Sequence, residues 1–162
     1  ANMFITFLQM GIANGVQPLF GYNYGAGNWE RFVTVERYTK KCCLIVGILA
    51  TALFFVLREP IIRLFIDDQE VVAYGVQMLS AYMISGPVIG ILFVNMNCMQ
   101  SIGKALPATV LSVMRQGLLL IPLLYLLNAV LGLQGVIYGQ ALTDYAAVLL
   151  SMVLWRSMRQ KI

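Results

Sequence analysis

The sequence contains no histidine, and only 11% of its 162 residues are charged. The lack of histidine excludes Ser-His-Asp and Cys-His catalytic sites and histidine-ligated zinc. Soluble domains carry about 25% charged residues, so charge is scarce here. Hydrophobic residues make up 60% of the chain, and its mean hydropathy is +0.80. Most of the surface must therefore meet lipid, because a domain of this size cannot bury that much apolar area in its own core.

Cysteine is also scarce, and the excess of positive charge is small. Cys42, Cys43 and Cys98 lie in or beside apolar runs and cannot form a disulfide framework. The net charge is +4, and the cations lie between apolar runs without forming a stripe, so nucleic acid is not an expected partner. The chain begins with alanine and enters an apolar run without a basic segment, so we do not expect this run to be a signal peptide. We expect the chain to be part of a longer one.

Five hydrophobic segments are long enough to cross a bilayer. They cover about residues 3–24, 38–57, 71–99, 106–131 and 134–155. The fold class predicted from them is an all-α integral membrane protein, a polytopic bundle of about five transmembrane helices. Residues 1–162 would form a single membrane domain. The segment "EPIIRLFIDDQEV" between the second and third spans is predicted to be a short helix in the outer interface.

The third segment is too long for a straight helix. The uncharged stretch up to Lys104 would reach roughly 50 Å, whereas a hydrocarbon core is about 30 Å thick. We predict a bend at Gly86 and Pro87. Pro18 and Pro122 are further hinge candidates, since each proline frees a backbone carbonyl that needs a partner or a wet cavity.

The distribution of cations predicts the topology. Eight cations fall on one side of the proposed bilayer: Arg31, Arg37, Lys40, Lys41, Lys104, Arg156, Arg159 and Lys161. This side is expected to be cytoplasmic, which places the C-terminus of a multi-pass cell-membrane protein in the cytoplasm.

Glycines recur four residues apart, a spacing that lets helices approach closely in lipid. The pairs are Gly11/Gly15, Gly21/Gly25, Gly86/Gly90 and Gly135/Gly139. They predict ordinary helix contacts, or contacts that slide and bend during transport.

Two ionisable residues, Arg115 and Asp144, lie inside the predicted spans, where charge is costly. Counted from the cytoplasmic end of their helices, they lie at depths of roughly 14 and 18 Å. Helices joined by a short loop usually pack together, so we expect these residues to pair. They would form a structural ion pair or a relay for protons or cations; alternatively, Asp144 faces water alone.

Side-chain amides form a second group of candidates. They either bind helices to one another or line a polar cavity. The members are Asn14, Gln17, Asn23, Asn95, Asn97, Gln100 and Gln116.

The stretch "GVQPLFGYNYGAGN", residues 15–28, resembles a motif of the multidrug and toxic compound extrusion (MATE) family. "MQSIGKALPATVLSVMRQGLLLIPLLYLL" resembles a later stretch of that family, and "GLQGVIYGQALTDYAAVLLSM" resembles its last helix. The three stretches occur in the family's order and cover nearly the whole chain. Gln17, Pro18, Tyr22, Asn23 and Tyr24 match the first motif, and Arg115 and Gln116 match the second. The match adds Tyr22 to the cavity candidates.

The resemblance implies twelve helices in two six-helix lobes, with this chain supplying the eighth to the twelfth helix as part of the C-terminal lobe. It implies export of cationic, often aromatic drugs by a secondary antiporter that uses an inward proton or sodium gradient and no other cofactor. The expected partners are the lipid bilayer, a small organic cation and the N-terminal lobe of the same protein.

Three alternatives remain open at this point. A lipid-linked oligosaccharide flippase of the same superfamily would need a large cationic cavity, and a membrane scaffold would transport nothing. A membrane-embedded hydrolase would need paired carboxylates or a nucleophile with its base. One buried acid without histidine disfavours the hydrolase, so we do not expect an enzyme.

Overall fold

The computed structural model describes residues 2–63 and 69–160, and all regular structure in these two ranges is helical. The predicted all-α membrane bundle is confirmed. The helices are α1 (Asn2–Gly25), α2 (Trp29–Val56), α3 (Arg58–Arg63), α4 (Gln69–Ile84), α5 (Ile89–Ser101), α6 (Ala105–Val113), α7 (Leu120–Leu131) and α8 (Leu133–Arg159), with a π-helical turn at Met114–Leu118 between α6 and α7. Helix α3 covers the first part of the predicted interfacial helix, and residues 64–68 lie outside the described ranges.

Within the described ranges, three continuous helical stretches are long and apolar enough to cross a bilayer: Trp29–Val56, Ala105–Leu131 and Gln134–Arg159. A fourth span results when Tyr74–Ile84 and Ile89–Ser101 are counted as one bent unit. Helix α1 has 24 residues and reaches about 36 Å, so its length is sufficient. Its side-chain amides, including Gln9, Asn14 and Gln17, lower its hydropathy. This explains why hydropathy alone gives up to four spans where we predicted five.

The predicted bend in the third span is present. Helices α4 and α5 meet at 43° across residues 85–88. Pro87 has no amide hydrogen and interrupts the helical ladder. The amide of Gly86 instead donates to the carbonyl of Met83 at 3.1 Å, and that of Val88 donates to Ser85 at 3.1 Å.

The other two prolines behave differently from a simple hinge. Helix α1 continues through Pro18 to Gly25. Pro122 lies in the first turn of α7, and the irregularity appears just before it as the π-helical turn, where the amide of Leu119 donates to the carbonyl of Met114 at 2.7 Å. A proline cannot donate to the carbonyl four residues earlier, so the backbone before Pro122 is free to adopt the wider turn.

Helix α2 begins earlier than predicted, at Trp29 rather than near residue 38. The side chain of Asn28 caps it by accepting a hydrogen bond from the amide of Arg31 at 3.2 Å. Glu30 in the first turn also favours this start, because an acid stabilises the positive end of a helix. Four of the eight cations expected on the cytoplasmic side therefore lie on helix α2: Arg31, Arg37, Lys40 and Lys41. The hydrophobic run marked only the apolar part of a longer helix.

A buried acid joins the first part of α2 to the end of α8. Glu36 is 3% exposed and accepts a hydrogen bond from Trp155 Nε1 at 2.8 Å. It also pairs with Lys40, and Arg159 Nη1 lies 3.8 Å from its second oxygen. The Phe32 ring packs between these helices, 6.0 Å from the ring of Trp155. The cation-rich parts of α2 and α8 thus lie at the same end of the bundle, as the predicted topology requires.

Close backbone packing occurs around the bend. A Cβ added to Gly90 would contact Cys43, and one added to Gly86 would fall against Thr51. Gly47, which belongs to none of the predicted pairs, packs against the Gln9 side chain and the bend itself. Elsewhere in the bundle, Gly135 and Gly139 pack against Leu124 and Leu127 of α7. In contrast, the pairs on α1 have no described atom within 4 Å of an added Cβ: Gly11, Gly15, Gly21 and Gly25.

We predict that Gly47→Ala destabilises the protein. The new methyl group would overlap the Gln9 amide and lie 3.0 Å from both the Gly86 carbonyl oxygen and Pro87 Cα. Overpacking of this kind costs about 1–3 kcal/mol. The apparent melting temperature of the purified full-length protein in detergent should fall. Gly21→Ala is the matched control and should not lower it, since alanine favours a helix and meets open space there. Equal melting temperatures for both variants would contradict the packing described here.

Candidate functional site

A cavity of about 590 Å³ lies between α1, α5 and the segment formed by α6 and the π-helical turn. Its lining combines amides, aromatic rings, methionines and a cation. The lining residues are Thr6, Phe7, Met10, Asn14, Gln17, Leu92, Phe93, Met96, Asn97, Gln100, Ser112, Arg115 and Gln116. The lining residues of α1 recur at intervals of three or four positions, one helical turn, so they form a single stripe along that helix.

Amide pairs cross the cavity wall from α1 to α5. Asn97 Nδ2 donates to Asn14 Oδ1 at 3.0 Å, and Gln17 Nε2 donates to Gln100 Oε1 at 3.2 Å. These side chains therefore do both things considered above. They bind the two helices together and present polar atoms to the cavity.

Three of the predicted cavity residues lie elsewhere. Tyr22 is 73% exposed on the outside of α1. Asn23 is buried and donates to the carbonyl of Leu19 in its own helix at 2.7 Å. Asn95 is fully buried and donates to Ser151 Oγ on α8 at 2.9 Å. Asn95 and Asn97 are two residues apart, so they point to different sides of α5, and only Asn97 reaches the cavity.

The structure brings Arg115 and Asp144 together. Arg115 Nε donates to Asp144 Oδ1 at 2.9 Å, and their side chains are 13% and 3% exposed. Ser85 Oγ donates to the other oxygen, Oδ2, at 2.8 Å, and Gln140 Nε2 lies 3.5 Å from Oδ1. The Arg115 guanidinium also lies 5.8 Å from the centre of the Phe93 ring. A buried carboxylate is thus held by one cation and two neutral donors.

The partners of Asp144 come from the irregular parts of the backbone. Arg115 lies in the π-helical turn, and Ser85 lies in the bend between α4 and α5. Asp144 on α8 therefore joins both irregularities. The sequence predicted the pairing of Asp144 with Arg115, but it did not show the contact with Ser85, which lies far from Asp144 along the chain. The π-helical turn that carries Arg115 also has no simple sequence signature.

Gln9 holds the bend from its other side. Its side chain is fully buried, and Nε2 donates to the carbonyl of Gly86 at 2.8 Å and to that of Cys43 at 3.3 Å. Our amide group did not include Gln9. The sequence did contain an indication of its role: Gln9 is a glutamine within an apolar run, where an amide without a hydrogen-bond partner is costly. The described residues bring together no three His, Cys, Asp or Glu side chains that could hold a metal ion.

Comparison with known proteins identifies the family. A family model named MatE matches residues 1–126. The chain belongs to the MatE family. Its sequence is 28% identical over 159 residues to the multidrug export protein MepA of Staphylococcus haemolyticus (strain JCSC1435), covering 98% of this chain and 35% of that protein. The MepA of Staphylococcus aureus (strain MSSA476) is likewise 28% identical over the same shares.

Solved structures of MATE transporters share the fold. The MATE multidrug transporter DinF-BH, solved as a complex with a ligand, has a TM-score of 0.88 and 34% identity over 97% of this chain and 35% of its own. An inward-facing MATE family transporter has a TM-score of 0.88 at 19% identity, covering 97% of this chain and 38% of that one. The chain thus spans about 35% of the length of the MepA relatives and of DinF-BH.

We predict that breaking the Arg115–Asp144 pair on one side is far more damaging than removing it entirely. Asp144→Leu leaves a buried cation without its partner, which costs about 3–5 kcal/mol. Arg115→Met combined with Asp144→Leu removes both charges and should restore most of the stability. The free energy of unfolding of the full-length protein in detergent gives both values.

The matched control is the exposed ion pair of Arg63 and Glu59, in which Arg63 Nη2 lies 2.8 Å from Glu59 Oε1. The same double-mutant cycle there should give about 0–1 kcal/mol, because solvent screens the charges. Additive single changes at Arg115 and Asp144 would show that the buried pair contributes no coupling energy.

Proposed function

We propose that this chain is part of a secondary active multidrug antiporter that exports organic cations, many of them aromatic. The observation that carries this proposal is the cavity, whose lining suits such molecules. Support comes from relatives that are named multidrug export proteins and transporters. The chain would contribute the eighth to the twelfth helix of the C-terminal lobe, and the N-terminal lobe would be its partner in alternating access.

The cavity offers soft and aromatic surface to a flat apolar cation. Phe7 and Phe93 present rings, and rings attract cations over their faces. Met10 and Met96 add flexible, polarisable surface that adapts to ligands of different shape. The oxygens of the amide pairs provide polar contacts without a fixed charge. Such a site binds many ligands loosely rather than one ligand tightly.

The charge balance of the cavity disfavours the flippase alternative. A lipid-linked oligosaccharide carries phosphate, so its carrier would need several free cations. Among the described residues that line the cavity, Arg115 is the one cation, and Asp144 neutralises it. The near-neutral cavity accepts a cationic drug at lower electrostatic cost than a site with an unpaired arginine would.

We infer that Asp144 takes part in ion coupling. Its two oxygens hold Arg115 and Ser85, so neutralising Asp144 would release the π-helical turn and the bend together. A proton can do this without further ligands. A sodium ion would have to bind beside the Arg115 guanidinium, which repels it. The guanidinium opposes protonation as well, because it stabilises the charged carboxylate. We propose the proton as the coupling ion because it needs no coordination shell beyond one carboxylate oxygen.

The transport prediction uses the full-length protein that contains this chain, reconstituted in vesicles. A fluorescent organic cation should accumulate against its gradient when a proton gradient is imposed, and should stop when an ionophore collapses that gradient. A sodium gradient alone should have little effect. Transport of the dye that is insensitive to both gradients would contradict the antiporter, and absence of any transport would favour the scaffold.

A second prediction concerns Asp144. The Arg115→Gln/Asp144→Asn double variant removes the ionisable pair while keeping hydrogen-bonding side chains in place. We expect it to bind the dye but to lose accumulation driven by the proton gradient. Glu30→Gln, which changes an exposed acid at the start of α2, is the control and should transport normally. Unchanged proton-driven accumulation in the double variant would show that coupling resides outside this pair.

A further inference from the structure

We propose that the outer face of α1 and α2 binds an anionic phospholipid. Two small cavities lie side by side along α2, away from the drug cavity, and they share Thr34 and Tyr38. One cavity is basic and the other is an apolar groove. A molecule with an anionic head and an apolar chain would fill both at once.

The basic cavity has a volume of about 250 Å³ and is formed by Thr34, Arg37, Tyr38 and Lys41. These positions are spaced three and four residues apart, so they lie on one face of α2. Lys41 Nζ lies 5.9 Å from the centre of the Tyr38 ring, within the range of a cation–π contact. Two cations and a phenol at the rim are the groups expected around a lipid phosphate.

Both cations of this cavity are available to an outside anion. At this end of the bundle, Glu36 is buried and its ion pairs use Lys40 and Arg159. Among the residues that the structure describes, neither Arg37 nor Lys41 forms an ion pair, and both are exposed. A membrane anion would therefore compete with no carboxylate of the described chain.

The apolar groove has a volume of about 260 Å³ and runs between α1 and α2. Helix α1 contributes Ile12, Val16 and Leu19, again three and four residues apart. The hydroxyls of the two threonines in the groove donate to backbone carbonyls of their own helix. Thr34 donates to the carbonyl of Glu30 at 2.9 Å, and Thr39 donates to that of Val35 at 2.8 Å. The groove is therefore largely apolar towards an incoming molecule, which suits an acyl chain.

The level of the two cavities in the bilayer fits a lipid. Helix α2 has 28 residues and reaches about 42 Å, roughly 12 Å more than a hydrocarbon core. If the excess lies at the cation-rich end, about the first eight residues of α2 project among the headgroups. Residues 34–42 then straddle the boundary between headgroups and acyl chains. Positive charge at the cytoplasmic boundary attracts the anionic lipids of that leaflet.

The experiment measures lipid retention by the full-length protein in detergent with native mass spectrometry. The probes are phosphatidylglycerol, phosphatidylethanolamine with the same acyl chains, and soluble glycerol 3-phosphate. The variants are Arg37→Gln/Lys41→Gln, which empties the basic cavity of charge, and Cys42→Phe, which fills the groove. The control, Arg31→Gln/Lys104→Gln, removes two cations that lie outside both cavities.

We expect selective retention of phosphatidylglycerol. The Arg37/Lys41 variant should bind it about 25-fold more weakly, the product of a fivefold loss for each cation. Cys42→Phe should weaken retention with both charges in place, and the control should match the wild type. Three results would overturn the site: equal retention of the two lipids, equal losses in the control and the Arg37/Lys41 variant, or full competition by glycerol 3-phosphate at the lipid's own concentration. None of these results depends on drug transport, so the lipid site and the proposed function can fail separately.

Discussion

The interaction on which the rest of this structure depends is the pairing of Asp144 with Arg115 inside the bundle. Each charge alone is costly in hydrocarbon, by about 2.5–3.5 kcal/mol on insertion scales. Together, with Ser85 donating to the second carboxylate oxygen, they form a nearly neutral unit. This unit has one partner in the π-helical turn and one in the bend. The two places where the helices depart from regular geometry are therefore held by the same carboxylate.

At the bend between α4 and α5, side chains supply partners for backbone carbonyls that the helices leave free. Gln9 donates to the carbonyl of Gly86 at the bend, and the Tyr145 hydroxyl donates to that of Ile84 at 2.9 Å. Such partners are necessary because lipid supplies no hydrogen bonds. Glycines at positions 47, 86 and 90 allow the helices to come close enough for Gln9 to reach the bend. Packing and hydrogen bonding thus support one another around a single point.

The sequence allowed most of the fold to be predicted, but only part of the site. Pro87 after a glycine, in a span too long for the bilayer, was sufficient to predict the bend. The depths of Arg115 and Asp144 were sufficient to bring them together, since depth follows from a constant rise per residue. The orientations of the amide side chains were harder to predict. A helix turns by about 100° per residue, so a small error in its rotation moves a side chain to another face. The prediction left both roles open for Asn95 and Asn97, and the structure divides them: Asn95 binds α5 to α8, whereas Asn97, two residues further on, lines the cavity.

The sequence by itself determined that the protein lies in lipid, that its fold is all-α, and roughly where its membrane spans lie. These properties depend on composition and on local runs of apolar residues. It also determined the family, through motifs that keep their order along the chain. Only the tertiary structure decided that Ser85 and Gln9 hold the bend, that Glu36 joins α2 to α8, and that Arg37 and Lys41 border an apolar groove. These contacts join residues far apart in the chain, and their existence depends on the rotation of each helix about its own axis. A hydrophobic run does not specify that rotation when most faces of the helix are apolar.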